Sequence, residues 1–133
     1  MSAPIARGDQ LAPRSYGPFE AADLEAYAAA SLDDNPLHLD PAIAAKAGLA
    51  APPIHGMLIM ACLEPYVRAW RPDASVAKIA AKFVEPVLAD ETFEITGKVV
   101  QAAPGAPAVL RLTARRGTTL VCLAEAFVAV PPA

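Results

Sequence analysis

The hydrophobic period of this chain changes once, near Asp73, and that single change limits the folds open to it. Upstream, apolar residues fall at helical spacing or in unbroken runs. The segment from Pro18 to Ser31 places Leu24, Tyr27 and Ala28 on one side and its acids, Glu20, Asp23 and Glu25, early, where a helix presents its positive dipole end. Leu32-Asp33-Asp34-Asn35-Pro36 stops that helix. Asp40-Pro41 followed by Ala42 to Ala47 and Gly48 has an N-cap acid, proline at the first helical position and glycine past the end, so it predicts a second, short helix. After the extended Pro52-Pro53, His55-Gly56 opens the run Met57 to Leu63. A run apolar all round predicts a buried helix, with Pro65 bending or ending it and Tyr66, Val67 and Trp70 able to continue on one face.

Downstream of Asp73 the pattern is alternation: Ile79, Ala81 and Phe83, then Phe93, Ile95, Gly97 and Val99, then Leu110, Leu112 and Ala114, each set separated by outward residues. A last strand runs from about Thr119 to Val130, after a tight hairpin at Arg116-Gly117-Thr118. Helices first and at least four antiparallel strands afterwards predict an α+β domain in which one long helix packs on the sheet. Residues 1–13 lack periodicity and read as an arm carrying at most one short strand, with the domain proper at 14–133.

With 133 residues, 55% of them hydrophobic, the chain can bury one core and no second domain is expected. The 11 basic and 14 acidic residues leave a net charge of −3 with no basic cluster, which argues against nucleic acid as a partner. No apolar run approaches the roughly 18 residues of a membrane-spanning helix, so no membrane association is expected. Arg7, Asp9 and Arg14 fall where a secretion signal needs apolar residues, and Cys62 and Cys122 sit in apolar runs as free thiols. Both features lead us to expect a cytoplasmic protein.

The chemistry is concentrated in one loop. Asp33 and His38 lie five residues apart with Asn35-Pro36 between them, so they cannot share a helix face but can converge across a turn that Pro36 stiffens. A carboxylate beside an imidazole can hold one water and move protons in both directions near neutral pH. The whole segment Tyr27-Ala28-Ala29-Ala30-Ser31-Leu32-Asp33-Asp34-Asn35-Pro36-Leu37-His38-Leu39-Asp40-Pro41 resembles the hydratase signature of MaoC-like dehydratases and (R)-specific enoyl-CoA hydratases. Further on, His55-Gly56-Met57 is similar to that family's His-Gly pair opening a central helix, and Phe83-Val84-Glu85-Pro86-Val87 to its Phe-x-x-Pro-Val strand. The similarity extends over about residues 14 to 130.

This resemblance implies a single hot-dog domain, an antiparallel sheet wrapped around a long central helix, that pairs as a homodimer with an acyl tunnel near the subunit interface. It implies reversible hydration of a 2-enoyl thioester, carried by CoA or by an acyl carrier protein, without metal or redox cofactor. Asp33 and His38 would hold the water that adds to C3, with the base and acid roles left open. Asn35 would orient the loop or hydrogen-bond the pair. Gly56 would offer its N–H to the thioester carbonyl: a helix start has unpaired N–H groups, and glycine lets substrate approach. His55 would contact substrate or anchor the loop. Two positions depart from the family's pattern, which usually has glycine where this chain has Leu32 and often where it has Ala89. A positive φ at residue 32 would strain leucine or move Asp33.

Other readings attach to the same residues. Asp33 and His38 would, as a purely structural pair, satisfy backbone groups at a helix end. Asp34 reads as solvated and Asp40 as a cap. His38, Asp40 and His55 have the ligand types of a two-histidine, one-carboxylate iron site, but Asp40 is already accounted for as a cap and nothing marks a 2-oxo acid clamp. A noncatalytic acyl-thioester-binding subunit, with Leu32 disabling the loop, and a hot-dog thioesterase are the rivals on the same fold.

Overall fold

A computed structural model describes residues 3–131. The chain runs through β1 (Gln10–Tyr16), α1 (Ala21–Ser31), a single 3-10 turn (Pro36–His38), α2 (Pro41–Lys46), α3 (Gly56–Trp70), β2 (Ser75–Phe83), β3 (Phe93–Gln101), β4 (Ala108–Arg116) and β5 (Thr119–Ala129). The strands form one antiparallel sheet in the order β1-β3-β4-β5-β2. The strand expected of the N-terminal arm therefore continues past residue 13, and the division drawn at 13/14 falls inside β1.

One row of register partners, Leu11–Gly97–Leu112–Ala124–Ala81, crosses all five strands on the inward face. Glycine keeps that row close-packed, because a Cβ at Gly97 would lie 3.0 Å from Leu112 Cδ2 and 3.1 Å from Leu11 Cδ2, and both side chains would have to give way. The β4–β5 hairpin closes through Gly117 and Thr118, with Arg116 opposite Thr119 and Gly117 at φ 60°, as a tight turn demands.

The local start signals act as their chemistry dictates. Glu20 and Asp23 cap α1 reciprocally, and Asp40 Oδ1 accepts from the Ala42 N–H at 2.9 Å to start α2 ahead of Pro41.

The central helix differs from a run buried all round and ended at Pro65 in two ways, the first of them the continuation through Tyr66, Val67 and Trp70 that the sequence also left open. Pro65 neither ends nor shortens it, because Tyr66 and Val67 beyond it are buried and the Tyr66 hydroxyl donates to the Ala12 carbonyl at 2.8 Å. Burial also pushes the Tyr66 phenol up to about 12. The second difference is that α3 is buried on one face only: Ile59, Leu63, Tyr66 and Val67 enter the core, while Met57 is 56% exposed and Ala61, Glu64 and Arg68 face outward. Hydrophobicity all round gave this helix two apolar faces, and the chain's own sheet covers one.

Candidate active site

The end of α1 aims the first group. Leu32 is the left-handed C-cap, φ 63° and ψ 14°, and it turns the chain so that Asp33 leaves the helix. A ladder of short polar contacts then shapes the loop: Ser31 Oγ accepts from the Asp33 N–H at 3.2 Å, Asp33 Oδ1 from the Asn35 N–H at 3.4 Å, and Asn35 Oδ1 from the Leu37 N–H at 3.0 Å. Pro36 opens the 3-10 turn, in which the His38 N–H donates to the Asn35 carbonyl at 3.0 Å. The six residues from Asp33 to His38 are thereby folded so that the two ends approach one another. Of the two roles considered for Asn35, the structure displays the loop-holding one.

His38 Nδ1 lies 2.8 Å from the Pro53 carbonyl, which can only accept, so the proton sits on Nδ1 and a neutral ring keeps its lone pair on Nε2. Pro53 is itself fixed. The Ile54 N–H donates to the Val87 carbonyl and the Ala89 N–H to the Pro52 carbonyl, both at 2.8 Å, so the Pro-Val motif holds the strip that orients His38. The left-handed residue of that neighbouring turn is Asp90, φ 68°, rather than Ala89; a short polar side chain tolerates this conformation.

His55, the N-cap of α3, is only 1% exposed. Its Nε2 donates to the backbone carbonyl of Asp33 at 3.0 Å, and its ring stacks on His38 with centroids 4.1 Å apart and planes 23° apart. Tyr27 packs against the same ring at 4.8 Å. Of its two expected roles, His55 takes loop anchoring; its burial leaves no surface for direct substrate contact.

Single ligand-type atoms of Asp33, His38 and His55 lie within 4.8 Å of one another. Two polar groups at that separation can each hydrogen-bond one water at about 2.8 Å. Asp33 is exposed and His38 half-buried, so the space between them is open to solvent and substrate. The same cluster is a poor metal cage. Two imidazoles ligating one ion must aim in-plane lone pairs at a point about 2.0–2.1 Å from each nitrogen, whereas these rings lie face to face. Asp40, the third ligand of the iron reading, is occupied in capping α2, and Asp34 is exposed.

Gly56 is the first residue of α3, and the helix gives its N–H no partner. A Cβ there would lie 3.5 Å from the Phe83 ring, which flanks the helix start. A groove of about 820 Å³ runs along the uncovered face of α3, lined by Tyr27, Met57, Met60, Ala61, Glu64 and Ile79 among others, and its lining, which takes in Met57 next to Gly56, includes none of Asp33, His38 and Gly56 themselves. A larger cleft of about 1200 Å³, lined by Ile5, Pro104, Val130 and their neighbours, contains none of Asp33, His38 and Gly56. Both cysteines are free thiols with pKa values raised by burial, and neither belongs to the site.

Three participants escaped the sequence: the Pro53 carbonyl, the Tyr27 ring and the Phe83 ring. Tyr27 and Phe83 lie inside recognisable motifs, but no spacing rule marks them as neighbours of His55 and Gly56.

Leu32 carries a cost that is open to measurement. A non-glycine residue in the left-handed region loses about 1–2 kcal/mol, part of which glycine returns as chain entropy. The side chain is 85% exposed and makes no core contact. Leu32→Gly is expected to raise stability by up to about 1 kcal/mol, read as a higher thermal midpoint; an equal or lower midpoint would show that no strain is held there.

An antiparallel sheet wrapped around one central helix, with a polar loop at the helix start, defines a hot-dog domain. A MaoC-like domain model matches residues 5–119. Over 119 residues the chain is 34% identical to the (R)-specific enoyl-CoA hydratase of Aeromonas caviae, covering 85% of this chain and 87% of that one. The solved structure of an (R)-hydratase from A. caviae superposes with a TM-score of 0.86 at 30% identity, covering 96% of this chain and 98% of that chain. A mitochondrial 3-hydroxyacyl-[acyl-carrier-protein] dehydratase of Arabidopsis thaliana is 38% identical over 92 residues, 69% of this chain, which spans 53% of that protein. The chain belongs to the MaoC-like dehydratase family.

Proposed function

We propose that this protein adds water to 2-enoyl thioesters and removes it from 3-hydroxyacyl thioesters. The observation that carries this reading is the open Asp33/His38 pair, with His38 Nε2 left as a lone pair by the Pro53 bond, beside the unpaired N–H of Gly56. Water held between Asp33 and His38 attacks C3 of the enoyl group and gives a proton to the pair. The π electrons move to C2 and onto the thioester oxygen, where the Gly56 N–H and the positive end of α3 meet the growing negative charge. The pair returns the same proton to C2, so one water is added and the enzyme is regenerated. Elimination is the reverse path. No step requires a metal or redox group.

The substrate is a CoA or carrier-protein thioester whose acyl chain follows the groove along α3. We further propose a homodimer in which a second copy covers the exposed Met57, Phe83 and Val84 around edge strand β2. The rival of a binding-only subunit rested on Leu32 displacing Asp33; leucine adopts the left-handed turn, and Asp33 still reaches His38.

The test is the loss of enoyl-thioester absorbance when the purified protein meets crotonyl-CoA and a longer 2-enoyl-CoA, with sedimentation measured on the same sample. Turnover by a species of twice the chain mass is expected. Tight binding of both thioesters without turnover would replace hydration with the carrier-subunit reading.

A further inference from the structure

We propose that His55 is a positioning residue that holds both members of the Asp33/His38 pair at once; this rests on the hydration reading. Its Nε2 donates to the Asp33 carbonyl at 3.0 Å, and its ring face stacks on His38 at 4.1 Å. It also directly precedes Gly56, so a single residue links the loop that supplies the acid–base pair to the helix start that supplies the N–H donor.

A structural explanation fits this residue badly. At an N-cap, Ser, Thr, Asp or Asn would satisfy the first helical N–H groups, but the His55 side chain makes no cap bond. Its Nδ1 is buried and has no hydrogen-bond partner, a cost that a cap selected for stability would avoid. The Asp33 carbonyl can only accept, which obliges Nε2 to carry a proton. His55 is therefore a rigid plate with Nε2 as its engaged donor, wedged against Tyr27 and His38. Asp33 is exposed and follows a left-handed residue, so without that donor the residue itself is left with the short contacts to Ser31 and Asn35.

The two contacts separate by mutation. Gln at position 55 keeps an amide N–H near the place of Nε2 but removes the ring face; Phe keeps a ring face but removes the donor; Ala removes both. His55→Ala is expected to lower kcat by about a hundredfold, the scale of a small misplacement of reacting groups. His55→Gln and His55→Phe should each recover part of that loss. KM should stay within about twofold throughout, because His55 does not touch the substrate. In nitrogen-15 spectra, the His38 ring should show a fixed Nδ1–H tautomer in the wild type and in His55→Phe; in His55→Gln and His55→Ala it loses the ring face that keeps Nδ1 aligned on the Pro53 carbonyl, and averaged tautomers are expected.

Wild-type kcat in all three variants would overturn the proposal, as would Gln and Phe falling as far as Ala. If the wild type hydrates no enoyl thioester, the hydration reading fails while the spectra still decide the positioning: an unchanged His38 tautomer in His55→Ala would refute it.

Discussion

Replacing His38 with alanine is expected to lower kcat for enoyl-thioester hydration by about 10²–10⁴-fold, the range over which a positioned acid–base group contributes. Asp33→Asn should have an effect of the same order. The size follows from the proton path. The pair both receives the water's proton and returns it to C2, so losing either member interrupts two transfers in one cycle. The fold should survive, because Asp33 is exposed and the half-buried His38 side chain makes one hydrogen bond, to the Pro53 carbonyl, beside its stacking on His55. Steady-state kinetics with an unchanged thermal midpoint would confirm this. Turnover within about threefold of the wild type in either variant would remove that residue from the mechanism.

The largest expected effect on stability lies elsewhere. Phe93→Ala is expected to cost about 3–5 kcal/mol, the usual result of truncating a buried aromatic. Phe93 is 2% exposed at the start of β3, opposite Tyr16 of β1, and its ring stacks with Tyr16 at 5.8 Å and with Phe19 at 6.4 Å. Those three rings tie edge strand β1 and the approach to α1 onto the sheet. The truncation leaves a cavity and loosens both attachments. Domains of this kind are stable by only about 5–15 kcal/mol, so the loss should show as a large fall in urea midpoint. The comparison belongs at one fixed protein concentration, because assembly adds to apparent stability. A loss below about 1 kcal/mol would mean that Tyr16 and Phe19 close the gap.

What could be read from the sequence depended on whether the deciding interaction was local. Caps and turns were readable, since Asp40 with Pro41, and Gly117 in its hairpin, act through their nearest neighbours. The strands were readable because alternation follows directly from one-sided burial, as along Leu110, Leu112 and Ala114. The passage of α3 through Pro65 was readable only as one of two open outcomes and was not decided there, because the choice depends on Tyr66 reaching the Ala12 carbonyl, 54 residues away. Nor was its one-sided burial: Met57 and Leu63 are equally apolar, and only the closed sheet decides which is covered. Strand order, with β2 at an edge, is likewise a property of the assembled sheet.

The site divides in the same way. Asp33 and His38 were marked by side-chain chemistry and spacing together with the family resemblance, and Gly56 by that resemblance, to which the unpaired N–H groups of a helix start add a reason. The bonds that hold them, His38 to the Pro53 carbonyl and His55 to the Asp33 carbonyl, end on backbone atoms 15 and 22 residues away. Every residue has such a carbonyl, so nothing in the sequence distinguishes these two. The departure at Leu32 was visible, but its consequence was not. Leucine accepts the left-handed turn with its side chain in solvent, and Asp33 is delivered to His38.

The most direct measurement of the chemistry is the fate of the oxygen atom when the protein acts on crotonyl-CoA in water labelled with heavy oxygen. Addition of a water held by Asp33 and His38 predicts an intact CoA thioester with the label in the C3 hydroxyl, formed at least about a hundredfold more slowly with Asp33→Asn. Release of free CoA with the label in a carboxylate would contradict it, since water would then have attacked the thioester carbon that Gly56 is proposed only to polarise.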